Sequence, residues 1–338
     1  MSDSKKVIRV GLIGAGRMGS FHATSFAQRI PGAVLAAVVD PVPGSAQKLA
    51  DQLGVEKAYT DPQALFDDAD IDAVAIVSPA RTHAELVSAA ARAGKHVFCE
   101  KPMAVTLEEA DSAIAAAREA GVVLQVGFNR RFVGGFAHAI EQIKAGKIGT
   151  PQLLRSLTRD PGPFGADPAR IPLWTIYLET LIHDFDTLLH CNPGAKPVEV
   201  YAIGEALVRP DFKDQGFLDT SVVTIRFDNG AIAIAEANFC AAYGYDVRGE
   251  VYGSKGMFQL GNINVNNAIY YGAEGIEIET SRRDTDLLTE AYVAEMKEFV
   301  HSIVSGEAPR ATGEDARNAL EIALACIASV QQSKPIKL

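Results

Sequence analysis

The sequence predicts an α/β protein in two parts: a doubly wound parallel sheet, then an α+β domain with an open, mostly antiparallel sheet. Three observations carry this. Five short apolar runs alternate with helical patterns up to Val126, which is the signature of a parallel sheet with helices on its faces. After Asn129 the rhythm changes to a series of strands with turn punctuation. The length, 338 residues, suits roughly two domains of ~150.

Val7 to Ile13 is a β-rich run ending at Gly14, and Ser20 to Ile30 spaces Phe21, Phe26 and Ile30 as a helix does. Val34 to Val39 is a second strand ending at Asp40, and Ser45 to Leu53 is a helix. Asp61-Pro62 starts another, with Pro at the first helical position. Ala73 to Val77 is a strand, Thr82 to Ala93 a helix closed by Gly94, and His96 to Cys99 a further strand. Thr106 with Glu109 forms a capping-box pattern, Gly121 stops that helix, and Val122 to Val126 completes the strand set.

In the second part, a helix at Phe136 to Ala145 is followed by turn-rich sequence and a helix around Glu179 to His190. Strands are expected at Val198 to Ile203, Thr220 to Phe227, Ala231 to Phe239, Asp246 to Tyr252 and Met257 to Leu260. Asp228-Asn229-Gly230 is a hairpin signal between two of them. Helices at Leu288 to Val304 and Asp315 to Gln331 finish the chain. The expected division is 1–128 and 129–311, with the helix near 312–332 returning to the first domain.

Lys plus Arg number 32 against 42 Asp plus Glu, a formal charge of −10, so a nucleic-acid backbone is not an expected partner. Four well-separated cysteines, with no C-x-x-C, argue against a zinc knuckle or a disulfide framework and fit a reducing cytoplasm. Gly256 to Ala273 is the longest uncharged stretch, but Gln259 and four asparagines within it rule out a membrane span. The N-terminus has no leader-like apolar run, so a soluble cytoplasmic protein is expected.

Gly14-Ala15-Gly16-Arg17-Met18-Gly19 is G-x-G-x-x-G, and its context makes it specific: it follows a strand, opens a helix, and precedes Asp40 by 21 residues counted from Gly19. Gly14 permits the tight turn, Gly16 lets the backbone approach a pyrophosphate, and Gly19 allows close helix packing. The helix N-terminus then supplies amides for the anion, and Asp40 accepts from the ribose hydroxyls. With no basic residue beside Asp40, NAD is expected over NADP. Ser78-Pro79 ends a strand on the same carboxyl edge, although loop punctuation explains it equally well.

Glu100-Lys101-Pro102 stands at the end of the His96 to Cys99 strand, where a lysine is placed to meet ligand, although taken alone such a lysine is more often a solvated charge than a catalytic one. With this motif, a dinucleotide-binding half and a second domain built on an open sheet, the chain resembles the Gfo/Idh/MocA oxidoreductases over nearly its whole length. Gly127-Phe128-Asn129-Arg130-Arg131-Phe132, Arg159-Asp160-Pro161, Ile182-His183-Asp184-Phe185-Asp186 and Tyr243-Gly244-Tyr245-Asp246, followed by Glu250 and Gly253-Ser254-Lys255-Gly256, resemble the inositol 2-dehydrogenase branch. The resemblance implies a cis Lys101-Pro102 bond. It implies a cofactor set of Gly14, Gly16, Arg17, Met18, Gly19, Asp40, Ser78, Pro79, His83, Glu100 and Lys101. It implies substrate contacts at Asn129, Arg130, Asp160, Trp174 and Tyr243, and a homotetramer or dimer.

Glu179 and His183 are four apart and share a helix face, with Asp186 three further on. Imidazole titrates near ~6.5, so His183 suits proton removal from a substrate hydroxyl, with Lys101 polarising the same oxygen and Glu179 binding a hydroxyl or tuning the pair. A metal face of Glu179, His183, Asp186 and His190 lacks a second ligand cluster and is not expected. One departure stands out. Inositol dehydrogenases resembling this chain place a Gly-Gly pair shortly before an Asp that precedes the His by four, whereas this chain has Leu173 to Leu178 leading to Glu179. Arg170, Trp174 and Tyr177 are expected to reshape the pocket, leaving the identity of the polyol open. The expected activity is NAD-dependent oxidation of a secondary hydroxyl of a cyclitol or sugar. A keto-sugar reductase and a non-catalytic dinucleotide or sugar sensor of the same fold are the alternatives.

Overall fold

The computed structural model describes residues 7–162 and 171–338. The chain forms two compact units, one of the residues up to Asn129 with Glu290–Arg317 and one of Arg130–Thr289 with Asn318–Leu338.

The first unit follows the order β1 (Ile8–Ile13), α1 (Arg17–Gln28), β2 (Ala33–Val39), α2 (Ser45–Leu53), β3 (Lys57–Tyr59), α3 (Pro62–Phe66), β4 (Ala73–Ile76), α4 (His83–Arg92), β5 (His96–Cys99), α5 (Leu107–Ala120) and β6 (Leu124–Val126). Six strands pair in parallel in the order β3-β2-β1-β4-β5-β6. All four residues of β4 are buried, as a strand covered on both faces requires. The local signals act as expected. Asp61 Oδ1 accepts from the Gln63 amide at 2.9 Å, the Thr106 and Glu109 capping box forms, and Gly121 ends α5 at φ 66°. Strand β3 is an addition to the expected set, three residues on the sheet edge that are too short to stand out. Val293, Met296, Phe299 and Val300, from a later helix, join Ile8, Val10, Leu12 and Phe26 in one core.

The second unit contains α6 (Gly134–Lys144), β7 (Pro151–Arg159), α7 (Ile182–His190), β8 (Pro197–Glu205), β9 (Thr220–Phe227), β10 (Ile232–Asn238), β11 (Asp246–Gly253), β12 (Gly256–Asn262), and a hairpin of β13 (Ile269–Gly272) and β14 (Gly275–Ile278). The short helix α8 (Asp284–Leu287) precedes α9 (Thr289–Ser305) and α10 (Gly313–Gln332), and β15 (Ile336–Lys337) ends the chain. The seven-stranded sheet runs β12-β11-β7-β10-β9-β8-β15, with β10 and β7 parallel and the other pairs antiparallel.

Two expectations need correction here. The segment read as turn-rich contains β7, a nine-residue strand near the middle of the sheet. Its burial does not alternate cleanly, because Ser156, Leu157 and Thr158 are buried in succession, so period two was absent from the sequence. The expected helix around Glu179 begins earlier and differently, as a π-helix over Ile176–Leu181 that passes into α7 at Ile182.

Strand β9 alternates buried and exposed residues, so the sheet has two unlike faces. Helix α7 packs on β7 and β10. Pairing register places Leu153, Ile203, Val222, Ile232, Tyr252 and Met257 together on the opposite, exposed face.

Candidate active site

In the first unit the expected cofactor residues gather at the carboxyl ends of β1, β2, β4 and β5. Gly14 ends β1 with φ 102°, and a Cβ there would lie 2.6 Å from the Val77 carbonyl oxygen. Gly19, in the first turn of α1, is packed so closely that its Cβ would fall 1.8 Å from the Gly14 oxygen. Gly16 is the opposite case. It caps α1 with φ −73°, and nothing lies within 4 Å of the Cβ it lacks. Gly16 has no side chain with which to cap α1 and the first turn of the helix holds no acid, so this helix end suits an anion. Asp40 is fixed by this loop, Oδ2 accepting from the Ala15 amide at 2.7 Å and Oδ1 from Val42 at 2.8 Å. Each oxygen keeps acceptor capacity for a ribose hydroxyl. Arg17 and Pro79 are exposed and Met18 is half-buried.

Ser78 is half-buried, and its carbonyl lies 2.7 Å from His83 Nε2. The other His83 nitrogen lies 2.8 Å from the Pro102 carbonyl, so this buried ring ties the end of β4 to the residue after Lys101. The Lys101-Pro102 bond is cis and Lys101 is half-buried. Glu100 turns inward: Oε1 lies 2.7 Å from His22 Nε2, and Oε2 accepts from the Lys101 amide at 3.2 Å. Burial works to raise the Glu100 carboxyl, but the His22 hydrogen bond and charge, with Lys101, hold it below the usual carboxylate range. Asn129 is buried, and its side-chain oxygen accepts no hydrogen bond among the described residues. An orphaned acceptor, an uncapped helix end and the open cradle at Gly16 together fit a dinucleotide.

In the second unit, α7 carries His183, half-buried, just ahead of two anchored acids. Asp184 is fully buried and accepts from Arg130 Nη1 at 2.7 Å, Ser156 Oγ at 2.5 Å and Thr158 Oγ1 at 2.7 Å. Asp186 accepts a bidentate pair from Arg131, Nε at 3.0 Å and Nη2 at 2.5 Å. Arg130, expected at the substrate, is thus buried with its guanidinium on Asp184 and Thr158. Glu179 lies in the π segment, half-buried, where hydrogen bonds span five residues and the α-helical spacing to His183 does not apply.

Trp174 leads into that segment with φ 61°, a left-handed conformation rare for a large side chain. Its ring packs against Gly216 and stacks on Tyr177 at 6.5 Å. Tyr177 is a core residue, fully buried with its hydroxyl 2.9 Å from Ser221 Oγ, and burial pushes that hydroxyl up. Arg170 lies outside the described residues.

Asp160 accepts from Tyr245 at 2.5 Å and from the Gly162 amide at 2.7 Å. Half-exposed Tyr243 donates to the buried Asp246, which also takes Arg248. Beneath them Arg155 and Arg159 converge on Glu236; burial would raise that carboxyl, but the two arginines hold it low.

His22 and Asp184 were not singled out from the sequence as functional. His22 was visible in principle, since Gly19, His22, Ala23 and Phe26 share the buried face of α1 and a titratable residue at a core position needs a partner.

Among the described residues no helix is long and apolar enough to cross a membrane. Residues 8–128 match the family described as "Oxidoreductase family, NAD-binding Rossmann fold", and residues 136–259 match the "GFO/IDH/MocA C-terminal domain". The chain is 38% identical over 335 residues to the myo-inositol 2-dehydrogenase of Thermotoga maritima, covering 98% of each. It is 35% identical to the scyllo-inositol 2-dehydrogenase (NAD(+)) of Bacillus subtilis, covering 98% of this chain and 96% of that one. The structure of scyllo-inositol dehydrogenase from Lactobacillus casei with bound NAD(H) and scyllo-inositol matches with a TM-score of 0.92 at 32% identity, over 98% of this chain and 99% of that one. The chain belongs to the Gfo/Idh/MocA family of oxidoreductases, and its first unit is an NAD-binding Rossmann domain.

Proposed function

We propose that this protein is an NAD-dependent dehydrogenase that oxidises a secondary hydroxyl of an inositol or a closely similar cyclitol. The observation that carries the reading is full-length similarity to inositol dehydrogenases, and the presence of Lys101, Glu179 and His183 in this chain supports it. NAD, when bound, accepts the hydride. His183 takes the hydroxyl proton, since an imidazole both accepts and returns protons near neutrality. Lys101 holds and polarises the same oxygen, and Glu179 binds a ring hydroxyl or tunes the other two. Gly16 and the amides at the start of α1 would hold the pyrophosphate of NAD, and Asp40 would take its ribose hydroxyls. Asp160, Trp174 and Tyr243 contribute to substrate binding.

The exposed sheet face, with six large apolar residues on it, is the surface we assign to a second copy of the chain, in a dimer or tetramer. Sedimentation at micromolar concentration tests this part, and a monomer counts against it.

The catalytic reading is tested by steady-state NADH formation with myo-inositol, scyllo-inositol and a panel of sugars. The parent turns over an inositol, while Lys101→Met and His183→Ala fall by on the order of 10²- to 10⁴-fold, the range of a positioned proton-transfer group. Variants within a few-fold of the parent would remove those residues from the chemistry.

A further inference from the structure

His22 of α1 is completely buried. Its ring is bordered by those of Phe21, Phe98 and Tyr292, with centroids 5.7–5.8 Å away, and Nδ1 has no hydrogen-bond partner among the described residues. Its one polar contact there is Nε2 to Glu100 Oε1 at 2.7 Å. The second Glu100 oxygen accepts from the amide of Lys101. Room for the carboxylate exists because residue 127 is glycine, whose Cβ would lie 2.9 Å from Oε2 and 3.3 Å from the Glu100 Cα. On the other side of the lysine, the Pro102 carbonyl is held by His83. Lys101 therefore sits between two neighbours anchored to buried histidines, one on the helix that opens at the glycine loop and one on α4. A carboxylate so enclosed, with both oxygens engaged inside the unit, is spent on holding the backbone rather than on meeting a ligand.

Resting on the catalytic reading of Lys101, we propose that Glu100 and His22 are positioning residues for that lysine: the buried His22–Glu100 pair ties the turn carrying Lys101 to the cofactor-binding helix α1. A turn loosened by a fraction of an ångström misplaces the ammonium without opening the dinucleotide cradle, so the loss falls on turnover and spares cofactor affinity.

The test compares Glu100→Gln and His22→Phe with Lys101→Met and the parent. His22→Phe keeps a ring among its aromatic neighbours but removes the donor. Turnover and KM are measured with inositol, NADH affinity by fluorescence, and the trace acetylation rate of Lys101 relative to the other lysines by peptide mass spectrometry. In both variants turnover falls about tenfold or more, as expected where ~1 Å of misplacement costs ~10²-fold, while NADH affinity and KM stay within about threefold. The relative acetylation of Lys101 changes about threefold or more in both, a readout that needs neither substrate nor cofactor. Unchanged turnover and unchanged Lys101 acetylation, in a protein that Lys101→Met inactivates, would overturn the proposal, and so would a loss carried by NADH affinity. Activity retained by Lys101→Met would overturn the catalytic reading instead, leaving the acetylation rates to decide whether Glu100 and His22 set the surroundings of Lys101. Should Glu100→Gln fail to fold, His22→Phe, which keeps the carboxylate, decides the matter by the same measurements.

Discussion

Gly16→Ala separates the cofactor cradle from the fold. In the protein alone the added methyl meets nothing within 4 Å, and φ −73° is open to any residue. Two small effects on stability oppose each other: Ala is a poorer N-cap than Gly, by about 0.5–1 kcal/mol, whereas losing a glycine stiffens the unfolded chain by about 0.4–1 kcal/mol. They roughly cancel, so Tm should move by no more than about 2–4 °C. Cofactor binding has no such compensation. The methyl fills the space a pyrophosphate needs to reach the amides of α1, and losing one hydrogen bond to a charged group costs about 1.5–3 kcal/mol, or roughly 10- to 10²-fold in affinity. Gly19→Ala is the contrasting control, since its Cβ, 1.8 Å from the Gly14 oxygen, forces helix and loop apart and lowers both Tm and affinity. Thermal melting and NADH fluorescence titration read the two effects separately. A Gly16→Ala protein that binds NADH as tightly as the parent would refute the assignment of this loop to the pyrophosphate.

Asp184→Asn leaves the Arg130 guanidinium, 4% exposed, without its charge partner and should cost about 3–5 kcal/mol in urea unfolding; a change of no more than about 0.5 kcal/mol, the range of surface substitutions, would mean the pair is not the anchor of α7. Asp40→Ala should narrow the preference for NAD over NADP by about tenfold or more, because a 2′-phosphate near that carboxylate meets a repulsion of up to about 4 kcal/mol before salt screening; unchanged kinetic selectivity would place discrimination elsewhere. Glu236 is held low in the folded state, so its stabilisation is fully present above the unfolded value near ~4.3 and is lost as pH falls through the folded value. Tm of the parent should therefore drop more steeply below about pH 5 than Tm of Glu236→Gln, and parallel curves would contradict it.

The glycine loop, Asp40, the Asp61 cap and the Thr106 capping box were legible in the sequence because each is a local device: its residues are few, adjacent and chosen for one backbone shape. Strand β7 was not, since its burial depends on what packs over it from distant α7 and leaves no period in the chain. Neither composition nor spacing announces a π-helix, so the register of Glu179 against His183 emerged only with Trp174 at φ 61° and Tyr177 pinned to Ser221. Glu100 and Arg130 stand in motifs read from the sequence as ligand-binding, and the structure adds that both are buried against partners 78 and 54 residues away, distances no local pattern reports.

The central claim is hydride transfer from a ring carbon of an inositol to NAD. It is tested most directly with scyllo-inositol and myo-inositol carrying deuterium on the carbinol carbons. Incubation with the purified protein and NAD should yield reduced nicotinamide that carries one deuterium, in equal amount to a ketone product lighter than the labelled polyol by that deuterium and one hydroxyl hydrogen. Turnover that releases the label to water, or no reduced nicotinamide from either isomer at saturating NAD, would contradict the account.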